Sequence, residues 1–423
     1  MMGRIAKASI FSLALGLGLT ACSRDYTVAY VYVTSTKTNP GLIDAYSVDY
    51  QSGALVQLAD SPITAGRNPV AIVYSTSPST GNHFVFVVNH DDSTVGTYGV
   101  GTDGKLYGEN TYNTTGSFPV AAAVDSTGAF LYVAYTYQTS PTLYTTTSPG
   151  PGGISIFPIK YSGSGGTETV TLGTATNVNI GNNPVSIVAS LHNNFVYVVD
   201  AETPKGTSPI GEILGFSQNT TTGALTPLSG VTITNNLASV TGVPTATGYT
   251  AGVTPSGIAE NPLSTFVYVT DKASNQLIGY VVQANGSLVP MVNGPFTTGQ
   301  FPWSLTIDPR GSFLYVVNYN ASTVGAYSID TSTGTPTATA GTGGSTQVST
   351  NPVAITIEPA LGIYLYTANQ TDGTISGEQL SPNNGSLTSV QNTPFPASGL
   401  PTSIIAVPNG LASTSTSVTT PTN

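Results

Sequence analysis

The sequence predicts an all-β protein, a seven-bladed β-propeller of four-stranded antiparallel blades, and three observations carry that expectation. An aromatic-led apolar segment recurs seven times, and a Pro-led apolar segment also recurs seven times. The two series are out of phase at the ends of the chain. Self-similarity of this kind is read first, because each repeat is one supersecondary unit that cannot bury its apolar face alone.

The aromatic series is "YVYVTS" (30–35), "FVFVVN" (84–89), "FLYVAY" (130–135), "FVYVVD" (195–200), "FVYVTD" (266–271), "FLYVVN" (313–318) and "YLYTAN" (364–369). Successive starts are 54, 46, 65, 71, 47 and 51 residues apart, slightly long for propeller blades. The Pro series is "PVAIVYS" (69–75), "PVAAAVD" (119–125), "PVSIVAS" (184–190), "PSGIAEN" (255–261), "PWSLTID" (302–308), "PVAITIE" (352–358) and "PTSIIAV" (401–407). A third strand follows each aromatic one, as in "LIDAYSV" (42–48) and "TVGAYSI" (323–329). Gly turns such as "SGAL" (52–55), "TGAL" (222–225) and "NGSL" (285–288) then lead to a fourth, Gly supplying the positive φ of a tight hairpin. Because the aromatic series comes first and the Pro series last, the first blade lacks its innermost strand. "PTSIIAV" is expected to supply it and close the ring.

Composition agrees. Charged residues are only 7%, but 23 Tyr and 13 Phe argue against disorder, while 47 Gly and 29 Pro punctuate many short segments. Residues 1–21 read as a signal peptide, with Arg4 and Lys7 before the apolar stretch 8–21. That stretch ends in "LTAC" (19–22), similar to a bacterial lipobox with Cys22 as the lipidated residue. Cys22 is the only cysteine, so its acylation leaves no disulfide or thiolate site in the body. By resemblance to lipoprotein sorting, Ser23 favours the outer membrane of the cell envelope. The expected organisation is signal peptide 1–21, lipidated tether 22–27, propeller 28–410 and disordered tail 411–423. Removing residues 1–21 leaves eight basic and twenty acidic groups, a net 8 − 20 = −12. No basic cluster exists, so nucleic acid is not an expected partner. The expected partners are the membrane, through the lipid, and an unidentified small molecule or envelope protein.

The "YVTD" (268–271), "YVVN" (315–318) and "YTAN" (366–369) cores, with the Pro-led rhythm before them, resemble the YVTN and lactonase-type propellers. That superfamily includes bacterial 6-phosphogluconolactonases, and the resemblance spans about residues 28–408. It implies a seven-bladed fold and, for enzymatic members, a Pro-Arg-His element opening an inner strand and an Asn-Glu after an aromatic strand. Here Val70, Val120, Val185, Ser256, Trp303, Val353 and Thr402 follow the prolines. Thr36, His90, Thr136, Ala201, Lys272, Tyr319 and Gln370 follow the strand-ending residues. The resemblance therefore carries the fold without the family's catalytic signature.

Alternating strand direction puts the loop between strands two and three on the same face as the loop entering the next inner strand. The strand-enders Ser35, Asn89, Tyr135, Asp200, Asp271, Asn318 and Asn369 are expected to ring that face, and Asn and Asp end strands by bonding local backbone. Departures from the repeat are the candidate site residues. Arg67, His90 and Asp91 form a candidate catalytic set, His as base on water and Arg as oxyanion partner. Trp303 with Tyr319, the acidic pair Asp200 and Glu202 facing Lys272, and Asp271 form a candidate ligand-binding set. No cofactor is expected. Ca²⁺ is the metal that Asn89, Asp200, Asp271 and Asn318 would suit, but their separation around the ring argues against one shared ion. Longer loops at 136–153, 201–212 and 239–252 build up one sector of the same face. Two functions are expected from this reading: a lipid-anchored binding or scaffold propeller, or a lactonase-like hydrolase with a reorganised site.

Overall fold

The computed structural model describes residues 27–137, 151–181, 183–201, 211–233, 246–339 and 344–410. Cys22, Glu202, the tail 411–423 and most of the two longest loops lie outside them. The described chain is almost entirely β, with one short 3₁₀ turn at Gly165–Thr167.

Seven antiparallel sheets are arranged as blades around a channel. Blade 1 runs from Pro401–Pro408 at the axis through Thr27–Ser35 to Leu42–Asp49, so strands from the two ends of the propeller share one sheet. The expected ring closure is therefore present, with Tyr32 opposite Ile405 and Ala29 opposite Pro408. The inner strands of the other blades begin at Pro69, Ser117, Pro184, Pro255, Pro302 and Pro352, and each packs beside its neighbours around the axis.

The four-strand expectation needs one refinement. In six blades the outermost position holds two short segments that both pair with the third strand. In blade 5, Leu288–Pro290 pairs with the C-terminal half of Gln276–Val282, and Phe296–Thr297 with its N-terminal end. Short, broken edges blunt the tendency of an open strand to pair with another chain. Blade 2 is the exception, with one continuous outer strand, Leu106–Asn113.

Two buried devices explain the sequence repeat. The second aromatic of the aromatic strand is a blade-to-blade latch. The Tyr32, Tyr132, Tyr197, Tyr268, Tyr315 and Tyr366 hydroxyls donate to the carbonyls of Gly104, Gly223, Gly286, Gly334, Gly385 and Gly53. Each of those glycines sits in the hairpin turn of the next blade, so the aromatic strand and the Gly turn recur together because they bond to each other. Apolar blade-to-blade packing surrounds the latch and supplies the larger part of the stability, since burying one such side chain is worth about 1.5–3 kcal/mol.

The second device concerns the strand-enders. Asp271 is 1% exposed and accepts the Val253 and Thr254 N–H groups, both at 2.9 Å. Asn89 accepts Gly66 N–H at 3.1 Å, and Asp200 accepts Asn183 N–H at 3.0 Å. Each thus ties down the loop that enters its own blade. A Gly three residues before the inner-strand Pro makes room: a Cβ at Gly66 would lie 2.5 Å from Asn89 Cγ, and one at Gly252 would overlap the Asp271 carboxylate. Gly252 also holds φ +92°. Gly252→Ala is expected to destabilise the fold by about 2 kcal/mol or more, through overlap and a disfavoured backbone. Thermal unfolding of the variant checks this, and an unchanged midpoint would contradict it.

Candidate functional site

The inner strands of all seven blades line a channel with a cavity of about 470 Å³. Its wall is mostly small and apolar, from residues such as Val70, Ala71, Val120, Val185 and Val353. This follows from the repeat, since the residue after each inner Pro points to the axis and is usually Val. The polar lining is Asn183, Ser186, Ser256, Ser304, Gln370, Thr402 and Ser403, together with Lys272 and Trp303. Lys272 is the only titratable residue among the described lining residues.

Lys272 follows the last residue of the blade 5 aromatic strand, and Trp303 follows the Pro of the neighbouring blade 6 inner strand. Their loops share one face, and that topology brings the two departures from the repeat together. Lys272 Nζ stands 4.1 Å from the Trp303 ring centroid and 5.6 Å from that of Phe301. Such a cation–π contact is worth about 0.5–2 kcal/mol, more as it is desolvated. Trp303, Tyr319 and Phe301 form an aromatic cluster with centroid separations of 5.2, 5.9 and 6.0 Å. Burial against these rings pushes the Lys272 ammonium pKa down. No carboxylate among the described residues pairs with it. A half-buried cation with aromatic faces but no counter-ion is arranged to accept an anion from outside.

Sequence reasoning placed Asp200 and Glu202 opposite Lys272. Glu202 lies outside the described residues, and Asp200, like Asp271 in the next blade, accepts from the loop that enters its blade. Phe301 was missed. It has a counterpart in Phe118, which also precedes an inner-strand Pro, and both hold φ +59° in the left-handed region that bulky residues seldom adopt.

Arg67, His90 and Asp91 do lie together, in blade 2 on the same face, but none of them lines the channel cavity. Arg67 Nε bonds Asp92 Oδ1 at 2.5 Å, and its terminal nitrogen donates to the Asp91 carbonyl at 3.0 Å. His90 Nδ1 meets Asp91 Oδ1 at 2.6 Å, and its ring stacks on Phe118 at 5.1 Å. Bonds from His90 and Asn68 hold the Asp91 carboxyl below its usual range. The cluster's charges are thus largely spent on one another, and Arg67 and His90 do not share the channel with Trp303. Among the described residues no group of three or more His, Cys, Asp or Glu is placed to hold a metal ion.

Residues 230–350 match the family model described as lactonase, 7-bladed beta-propeller. A candidate 6-phosphogluconolactonase of Bacteroides fragilis superposes with a TM-score of 0.67 at 19% identity, covering 91% of this chain and 99% of that one. The periplasmic gluconolactonase of Pseudomonas aeruginosa gives 0.65 at 17% identity over 91% and 100%. A functionally unknown protein of Desulfotomaculum acetoxidans gives 0.60 at 13% identity over 90% and 99%. No curated protein sequence matches the chain.

Proposed function

We propose that this chain, a seven-bladed propeller of the lactonase-like superfamily, binds a small anionic, ring-bearing molecule at the channel mouth and does not hydrolyse it. The observation that carries the reading is the Lys272 ammonium over Trp303, without a described counter-ion, at the rim of a 470 Å³ cavity. A carboxylate would pair with Lys272, a sugar ring would lie on the aromatic cluster, and Asn183, Ser304 and Gln370 supply neutral donors and acceptors for hydroxyls. Uronic acids, which carry a carboxylate on a pyranose ring, fit that description. Hydrolysis of a lactone needs a group to activate water and another to protonate the leaving oxygen, and the described lining supplies neither beyond Lys272.

Lipidation at Cys22 completes the reading. Thr27 opens blade 1 on the face opposite Lys272, because the strand runs from there to Ser35 at the channel mouth. The four residues between Cys22 and Thr27 let the two reach about 18 Å apart at most when extended. A bilayer holding the lipid would lie against the far face, and the mouth with Lys272 would open away from it, towards soluble ligands.

A second reading rests on the His90–Asp91 pair. A carboxylate on Nδ1 leaves Nε2 as the basic nitrogen, the arrangement of a general base. Assay of the mature protein against a panel of sugar and fatty-acyl lactones separates the two. The binding reading expects no turnover above buffer. Turnover abolished in His90→Ala would replace it with the hydrolase reading.

A further inference from the structure

Three departures from the repeat coincide at the seam between blades 2 and 3. Phe86 stands where the other six blades carry the latch Tyr, so this seam lacks the hydroxyl-to-turn bond. The turn it would have met is rebuilt as Gly163–Glu168, with a 3₁₀ turn in place of a tight Gly hairpin. The outer strand of blade 2, Leu106–Asn113, is continuous where the others are broken. Glu168 provides a different tie: its carboxylate accepts from Ser77 at 2.8 Å, Ser79 at 3.1 Å, Asn82 at 3.1 Å and Thr80. Burial works against that carboxylate, but these donors outweigh it and hold its pKa below the usual range.

The consequence is an open cleft of about 590 Å³ between the two blades, on the face away from the channel mouth. Its chemistry differs from that of the channel. Tyr107 is 53% exposed, and its hydroxyl donates to Asp103 Oδ2 at 2.8 Å, so the ring is fixed. One side of the ring lies on Gly101, where a Cβ would come within 2.5 Å of Tyr107 Cε2, which leaves the other side for a ligand. A bulge at Gly108, φ +65°, shifts the strand register here and re-aims Tyr107. The cleft is further lined by Asn82, Asn110, Thr102, Thr167 and the Asp103 carboxylate, with the Glu168 carboxylate held by its own donors. The only basic type in the lining is His83, which is 6% exposed and bonded to the Gly410 carbonyl and Thr76. Its burial pushes the imidazole pKa down and keeps it neutral.

A fixed, one-sided aromatic platform ringed by hydroxyls, amides and a carboxylate, without a cation, suits a neutral polyhydroxylated ring and disfavours anions. We propose that this cleft is a second binding site, for one or two units of an uncharged saccharide. It is independent of Lys272 and of the channel.

Saturation-transfer NMR with cellobiose, maltose and N,N′-diacetylchitobiose on the mature protein tests it. At least one should show transfer to ring protons, with a dissociation constant in the millimolar range or tighter. Tyr107→Ala should weaken binding at least tenfold, while Tyr107→Phe, which keeps the platform, should stay within about threefold. Lys272→Met should leave it unchanged. Tyr107 is exposed, so the folded state is expected to survive its loss, which circular dichroism of the variant checks. The proposal is overturned by absence of transfer from all three sugars, by equal binding in Tyr107→Ala, or by binding that follows Lys272. Capture of a basic peptide at the cleft with no sugar binding also overturns it.

Discussion

Truncation after Leu400 is expected to abolish the cooperative folding of this propeller. The segment Pro401–Pro408 is the innermost strand of blade 1, pairs with Ala29–Ser35, and packs against the inner strands of blades 7 and 2. Val407 is fully buried, and Ala406 and Ile404 are 3% and 6% exposed. Burying side chains of this size contributes about 1.5–3 kcal/mol each for the larger ones. Losing them together with seven paired positions removes more than about 5 kcal/mol, comparable to the whole stability of many domains. The truncation also leaves the edge of Thr27–Ser35 exposed inside the ring, where no side chain blocks pairing with another chain. Circular dichroism melts and size-exclusion chromatography should show a broad transition and aggregation. A truncated chain that melts cooperatively within a few degrees of the full one would contradict this account of closure.

The second large effect concerns Glu378. In the third strand, the position opposite Val31, Val85, Leu131, Val196, Val267 and Leu314 holds Tyr46, Tyr98, Phe157, Phe216, Tyr280 and Tyr327. In blade 7 the residue opposite Leu365 is Glu378. Tyr46, Tyr280 and Tyr327 reach back to carbonyls of the preceding blade, at Pro396, Thr250 and Thr297. Glu378 is 1% exposed; Ser389 donates to one oxygen at 3.1 Å, and the other has no partner among the described residues. Burial pushes its pKa up from 4.5 to about 7, against the opposing Ser389 bond.

The folded state therefore holds the proton more tightly than the unfolded chain. Stability falls as pH rises from about 4.5 through about 7. One pKa unit is about 1.4 kcal/mol, so the ionised carboxylate costs about 3 kcal/mol at pH 8. Glu378→Gln should raise the melting temperature at pH 8 and leave it nearly unchanged at pH 4.5. Glu378→Tyr should raise it at both, by filling the seam with the ring that the other blades use. Equal shifts for Glu378→Gln at the two pH values would contradict this explanation.

The parts of this molecule that repeat were legible in its sequence, because each repeated residue answers a repeated physical need. Tyr315 and Gly385 recur in kind since one donates to the other's carbonyl, and Asn89, Asp200 and Asp271 recur in kind since each accepts from a backbone N–H of the entering loop. Ring closure was legible because the two anchor series are displaced. The split outer strands were not read, although "SPIT" (61–64), "GPFT" (294–297) and "TPFP" (393–396) repeat just where the second segment begins. Their strands are only two residues long, too short for an alternation pattern to register.

For the site, Lys272 and Trp303 stood out as breaks in the repeat, and the fold brings them together. Phe301 did not stand out, because its role depends on a left-handed backbone that no spacing reveals. Asp200, read from the sequence as facing Lys272, is buried and accepts from the Asn183 backbone N–H, a contact that residue type alone does not reveal. Glu378 was overlooked because it breaks a column, visible only once the third strands are aligned by their pairing.

The channel-mouth site is tested most directly by the fluorescence of Trp303, the only tryptophan of the chain. Titration of the mature protein with glucuronate and galacturonate, which carry a carboxylate on a pyranose ring, at pH 7 should produce a saturable change in that emission. In Lys272→Met the affinity should fall at least tenfold. Wild-type affinity should also decline on raising the pH earlier than an ordinary lysine would allow, because burial has lowered the pKa of Lys272. An absence of saturable change in the wild type, or equal affinity in Lys272→Met, would contradict the assignment of the channel mouth as an anion-binding site.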